Sequence, residues 1–146
     1  MSKNWINTIT IRNYQYSDYG ELKRFWQLNG LDSPKRADDQ YIIQRTLDHG
    51  GVLLVMIHED GRLIGSSWIT EDGRRSWIHH FGIHPDLHGQ GLGKLLMERT
   101  MIEIRRIGLQ VKLEVHHNNL NAIGLYREYG FKLLDGYLVY MVRSLN

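Results

Sequence analysis

The chain contains no cysteine in its 146 residues. That excludes a disulfide framework, a thiolate nucleophile, a cysteine-held zinc site and an acyl intermediate carried on cysteine sulfur. Proline is nearly absent, occurring only at Pro34 and Pro85, and no Pro-rich or Gly-rich linker divides the chain. A single domain over residues 1–146 is therefore predicted. No run approaches the ~20 apolar residues of a membrane-spanning helix. The opening Met-Ser-Lys-Asn-Trp leads into no uninterrupted apolar stretch of the kind a secretory signal needs. The expected location is the cytoplasm, with no membrane partner. An excess of one charge is also lacking. Lys and Arg number 18 against 16 Asp and Glu, for a formal net charge of +2, and the basic residues are scattered. Such a pattern leaves no electrostatic footprint for nucleic acid.

What is present is a globular balance of 42% hydrophobic and 23% charged residues. Alternation over Thr8–Asn13 predicts a first strand. Asp18 with Glu21 resembles a capping box, after which Leu22, Phe25 and Trp26 fall at helical spacing up to Asn29-Gly30. A second helix is predicted over Ala37–Leu47, with Asp38 and Asp39 at its positive end and Gly50-Gly51 closing it. Three strands follow: Val52–Glu59, Arg62–Thr70 and Ser76–His84, joined by turns at Asp60-Gly61 and Glu71-Asp72-Gly73. Gly89–Gly93 opens a helix running to Ile107, with Leu92, Leu96, Ile104 and Ile107 on one face. A strand over Gln110–His116, a helix over Asn119–Tyr129 stopped by Gly130, and a hairpin of Phe131–Leu134 with Tyr137–Arg143 complete the chain. The order βααβββαβαββ describes a mixed α/β fold, a largely antiparallel central sheet flanked by helices.

The segment His88-Gly89-Gln90-Gly91-Leu92-Gly93 lies between a strand and a helix. Glycines there let backbone approach a ligand and adopt positive φ. The N–H groups of the helix's first turn, with the helix dipole, then suit phosphate oxygens. The glycines alone also fit a tight turn with no ligand. A dinucleotide fingerprint does not match, because the spacing is Gly-x-Gly-x-Gly and the preceding strand does not open a βαβ domain. A Walker A loop does not match either, since Lys94 is not followed by Ser or Thr.

Ile83-His84-Pro85-Asp86 followed by His88-Gly-Gln-Gly-Leu-Gly-Lys resembles the acyl-CoA-binding motif of the GNAT family of N-acetyltransferases, Arg/Gln-x-x-Gly-x-Gly/Ala after a strand ending in Val-x-Pro. His88 stands where Arg or Gln is usual. A second block, Leu113-Glu114-Val115 with Asn119, Ala122, Leu125-Tyr126 and Gly130-Phe131, is similar to the family's Leu-x-Val … Asn-x-x-Ala-x-x-Leu-Tyr-x-x-x-Gly-Phe. Within the family the nearest resemblance is to bacterial N-terminal acetyltransferases of ribosomal proteins. The resemblance implies acetyl transfer from acetyl-CoA to a primary amine, a protein N-terminus or a small molecule, by direct attack in a ternary complex. It implies that His88, Gly89, Gln90, Gly91, Leu92, Gly93 and Lys94 hold the pyrophosphate. It further implies that the backbone of Phe81, Gly82 and Ile83 pairs with the pantetheine arm, and that Asn119 and Tyr126 contact CoA. A non-catalytic acyl-CoA-binding module is the alternative. A monomer or a homodimer is compatible with either.

Glu114, in a strand that is otherwise apolar, is either a solvent-facing residue or a carboxylate facing the amine. The second reading suits an ammonium that must lose a proton before it can attack. The family implies the base role for Glu114 and proton donation to the CoA thiolate for Tyr126. Packing alone is the other reading of Tyr126, and a helix cap the other reading of Asn119. The eight histidines invite a metal. However, His84 and His88 fall on a loop, and the adjacent pair His79-His80 would point to opposite faces of a strand. No metal site is predicted, and His79, His80 and His116 become candidates for lining the acceptor cleft or relaying protons. Trp5, Trp26, Trp68 and Trp77 are expected in the core or at its rim. The resemblance implies that Leu28–Arg36 and Leu134–Val139 shape the acceptor side.

Overall fold

The computed structural model describes residues 8–146, so Trp5 lies outside the described residues. The chain divides into two compact units, one ending at Glu114 and the other beginning at Val115.

The first unit is built on a five-stranded sheet, ordered β1-β2-β3-β4-β5. Its strands are β1 (Ile9–Asn13), β2 (Val52–His58), β3 (Leu63–Glu71), β4 (Ser76–Ile83) and β5 (Val111–Leu113). The first four pair antiparallel, and β4 pairs β5 in parallel. Helices α1 (Tyr19–Leu28) and α2 (Gln40–Asp48) lie between β1 and β2, and α3 (Leu92–Ile107) makes the crossover from β4 to β5. Strand β2 explains why its sequence is apolar throughout. Leu53 and Val55 pack with Leu22, Phe25 and Trp26 of α1 and Ile43 of α2. Leu54 and Met56 point the other way, into a second core with Ile64, Ile83 and Leu92 and Leu96 of α3. A strand covered on both faces has no polar side to show.

Several local expectations need correcting. Asp18 does not cap α1 with its side chain. Its carboxylate forms a bidentate pair with Arg12 at 2.8 and 2.9 Å and accepts the Gln15 N–H at 2.7 Å. Glu21 instead accepts the N–H of Leu63. Helix α2 starts three residues later than predicted, because Ala37 is left-handed at φ 56° and the cap is Asp39, whose side chain accepts the Ile42 N–H at 2.9 Å. The strand predicted over Gln110–His116 pairs only through Val111–Leu113, which leaves Glu114 just beyond it.

In the second unit, α4 (Leu120–Glu128) is capped by Asn119, whose side chain accepts the Ala122 N–H. Gly130, at φ 90°, ends it and sends the Phe131 N–H back to the Tyr126 carbonyl at 3.1 Å. The predicted closing hairpin is absent. Asp135-Gly136 does turn, with Gly136 at φ 89°, but Phe131–Leu134 and Tyr137–Arg143 carry no strand. Leu133-Leu134 and Leu138-Val139 put apolar groups on both faces. The pattern therefore selects no single buried face, and two strands alone are marginal in water. The fold class holds, while the observed order stops at βααβββαβα.

Candidate active site

The glycine turn forms as its spacing suggests. A 3-10 turn at Pro85–Leu87 follows β4, Gly89 has φ 75°, and Gly91 caps α3 at φ 84°. Only glycine takes such angles without strain. A Cβ built at Gly89 or Gly91 would meet nothing within 4 Å, so the protein leaves open space over the turn. Helix α3 is sixteen residues long, and the N–H groups of its first turn have no acceptor within the helix. Donors of this kind beside an open left-handed turn fit an anionic diphosphate. The His88 ring reaches back, its Nε2 2.7 Å from the Ile83 carbonyl. It therefore staples the turn to the end of β4.

The ladder between β4 and β5 ends partway along β4. Pairing of β4 with β5 covers Ser76, Trp77 and Ile78 against Val111, Lys112 and Leu113, and β4 continues five residues further, to Ile83. On its other edge β4 stays paired with β3, Gly82 opposite Ser66 and Ile83 opposite Gly65. Gly82 has a packing reason as well, since a Cβ there would lie 3.2 Å from Leu31 Cδ1. Glu114 is exposed and makes no ion pair among the described residues.

Tyr126 is 7% exposed, with its ring 5.8 Å from that of Phe131. Burial pushes its pKa up to about 12. The phenol thus stays protonated at any physiological pH. The Gly130-Phe131 stop that ends α4 also brings Phe131 onto Tyr126, which gives that spacing a physical meaning.

The histidines behave differently from the sequence expectation. The ladder between β3 and β4 shifts between Ser66 and Trp68, giving β4 an extra residue, and His80 there has φ 47°. Strict alternation fails at this bulge, and both imidazoles come against the Trp68 indole, His79 at 5.9 Å and His80 at 5.5 Å between centroids. His79 bonds Thr70 Oγ1 at 2.8 Å and stacks on Trp77. Burial, with the adjacent His80, lowers its pKa below the ordinary imidazole value. His80 bonds Asp38 at 2.8 Å and lies 4.4 Å from Trp26, ring to ring. Trp26 and Trp68 are core residues, as expected, and Trp77 carries Lys112 over its ring. In the second unit, His116 and His117 stack on each other at 4.5 Å. No group of three or more His, Cys, Asp or Glu that could hold a metal ion occurs among the described residues. Sequence reasoning missed the contact of Asp38 with His80. The position of Asp38 at a predicted helix start suggested a charge favourable to the helix's positive end, and nothing in the linear pattern points to a partner 42 residues away.

Comparison with known proteins follows the same lines. Residues 16–131 match the model of the Acetyltransferase (GNAT) family. An acetyltransferase of Yersinia pestis (strain Pestoides F) is 28% identical over 126 residues, covering 86% of this chain and 89% of that protein. The crystal structure of an acetyltransferase from Streptococcus agalactiae superposes with a TM-score of 0.76 at 19% identity, over 94% of this chain and 92% of the other. The ribosomal-protein-S18-alanine N-acetyltransferase from Escherichia coli superposes with a TM-score of 0.70 at 20% identity, over 85% and 77%.

Proposed function

The chain belongs to the GNAT family of acetyltransferases, and on that premise we propose that it transfers an acetyl group from acetyl-CoA to a primary amine by direct attack. The observation that carries this reading is the open left-handed turn at Gly89 and Gly91 leading into α3, beside a strand that runs on past its parallel neighbour. In this account the residues from His88 to Lys94 hold the diphosphate of CoA, with Asn119 and Tyr126 as further contacts. The backbone of Phe81, Gly82 and Ile83 accompanies the pantetheine arm. Bound acetyl-CoA supplies the activated acyl carbon.

The remaining work is proton movement. Glu114, a carboxylate in water, takes a proton from the acceptor ammonium through solvent, so that a free amine attacks. Tyr126, held as a neutral phenol, gives its proton to the departing sulfur. The bond to nitrogen forms as the bond to sulfur breaks, the second proton leaves nitrogen to solvent, solvent restores the Tyr126 phenol, and no acyl group rests on the protein.

Acceptors of three classes test the reading: an alanine-initiated peptide, the polyamine spermidine and the amino sugar glucosamine. With acetyl-CoA and the protein, at least one should give thiol release well above hydrolysis without acceptor. Tight CoA binding with no amine-dependent release across the panel would contradict it.

A further inference from the structure

Among the described residues, the non-glycine residues with positive φ are Ala37, at 56°, and His80, at 47°. They flank a single contact. Ala37 precedes Asp38, and Asp38 Oδ2 lies 2.8 Å from His80 Nε2. Left-handed backbone at residues with a Cβ persists only where its surroundings hold it, and it gathers at functional sites. The holding groups here are visible. Trp26 Nε1 donates to Ser66 Oγ at 2.9 Å, and Ser66 Oγ donates to the His80 carbonyl at 2.7 Å, fixing the bulge. On the other side, Lys23 reaches the Asp38 carbonyl at 3.5 Å and pairs with Asp32 at 2.7 Å, fixing the loop.

The pair is buried, the His80 side chain 4% and the Asp38 side chain 21% exposed. An apolar residue with ordinary backbone would fill this place against the stacked Trp26 and Trp68 without burying a polar pair, so stability alone does not account for it. What the arrangement supplies is an oriented imidazole. Asp38 fixes Nε2, while Nδ1 makes no hydrogen bond among the described residues. Phe81, Gly82 and Ile83 follow His80 directly along β4, and Leu31, from the same loop as Asp38, lies over Gly82.

Resting on the acetyltransferase reading, we propose that His80 is a catalytic proton acceptor for the amine and that Asp38 is its positioning residue. Turning an ammonium into an amide removes two protons from nitrogen. The first leaves before attack, to Glu114. The second leaves as the nitrogen–carbon bond forms and passes to His80 Nδ1. The carbon–sulfur bond breaks, and the sulfur takes the Tyr126 proton. His80 returns its proton through solvent, which restores the phenol, so one proton is released overall.

The test uses the full chain, acetyl-CoA and whichever of the alanyl peptide, spermidine or glucosamine the parent protein acetylates, read by thiol release. His80→Ala should lower kcat by ~10²–10⁴-fold, with acetyl-CoA affinity by calorimetry unchanged, and added imidazole should restore part of the rate. Asp38→Asn keeps a hydrogen-bond acceptor but removes the charge, and should lower kcat about tenfold or more at unchanged KM for acetyl-CoA. His80→Gln serves as a second variant that retains polarity and approximate size. Near-parental kcat in His80→Gln overturns the proposal. So does the absence of imidazole rescue in His80→Ala that still binds acetyl-CoA. A parent protein that releases no thiol with any amine overturns the acetyltransferase reading and this assignment with it.

Discussion

The proton-accepting role proposed for Glu114 and the proton-giving role proposed for Tyr126 fall on side chains in different settings. Glu114 is exposed and Tyr126 is buried, with a pKa raised to about 12 by that burial. Tyr126→Phe should therefore lower kcat by ~10²–10⁴-fold and leave acetyl-CoA affinity nearly unchanged. Glu114→Gln should lower kcat at neutral pH and recover partly at high pH, where free amine is abundant. Steady-state kinetics on one confirmed acceptor checks both, and near-normal turnover in the two variants would remove these assignments. His79 makes a separate prediction about stability. Its folded-state pKa lies below the ordinary value of 6.5 because the ring is buried. As pH falls below that value, the unfolded chain takes up a proton that the folded chain does not. This contribution is complete above the ordinary value and is lost on acidification. His79→Gln should flatten the acid limb of a stability–pH curve measured by chemical denaturation, and parallel limbs for the two proteins would contradict the burial account.

At the scale of elements, the start of α3 is the feature on which the proposed cofactor binding depends. Gly91 sits at φ 84° at its cap. In that conformation an L residue is strained by about 1–2 kcal/mol, and relaxing the strain would turn the first-turn N–H groups away from the ligand. Gly91→Ala should weaken CoA binding roughly tenfold, equivalent to about 1.4 kcal/mol, in a protein that keeps its circular dichroism. Unchanged affinity by calorimetry would show that the turn does not cradle CoA. This turn was legible in the sequence because glycine spacing and helix periodicity are local signals. So was the apolar run of β2, whose two-sided burial needs no partner identified in advance. The bulge at His80 was not legible, since a register shift depends on where Ser66 and Trp68 of the facing strand fall. Asp38 was read as a helix-end charge for the same reason, its partner being distant in sequence. The closing hairpin was over-read, because Asp-Gly signals a turn without ensuring that its flanks pair.

For the whole chain, the family match covers residues 16–131 and gives the class of reaction. The central claim is that bound acetyl-CoA gives its acetyl group to an amine, and the fate of that group tests it most directly. The protein is incubated with acetyl-CoA labelled on the acetyl carbon and with the alanyl peptide, spermidine or glucosamine, and the products are separated and read by mass spectrometry. The account predicts label on the acceptor nitrogen, matched by an equal amount of free CoA thiol and lost when the protein is omitted. Labelled acetyl-CoA that binds and is recovered intact, with no label in any amine, would mark the chain as a binding module and contradict it.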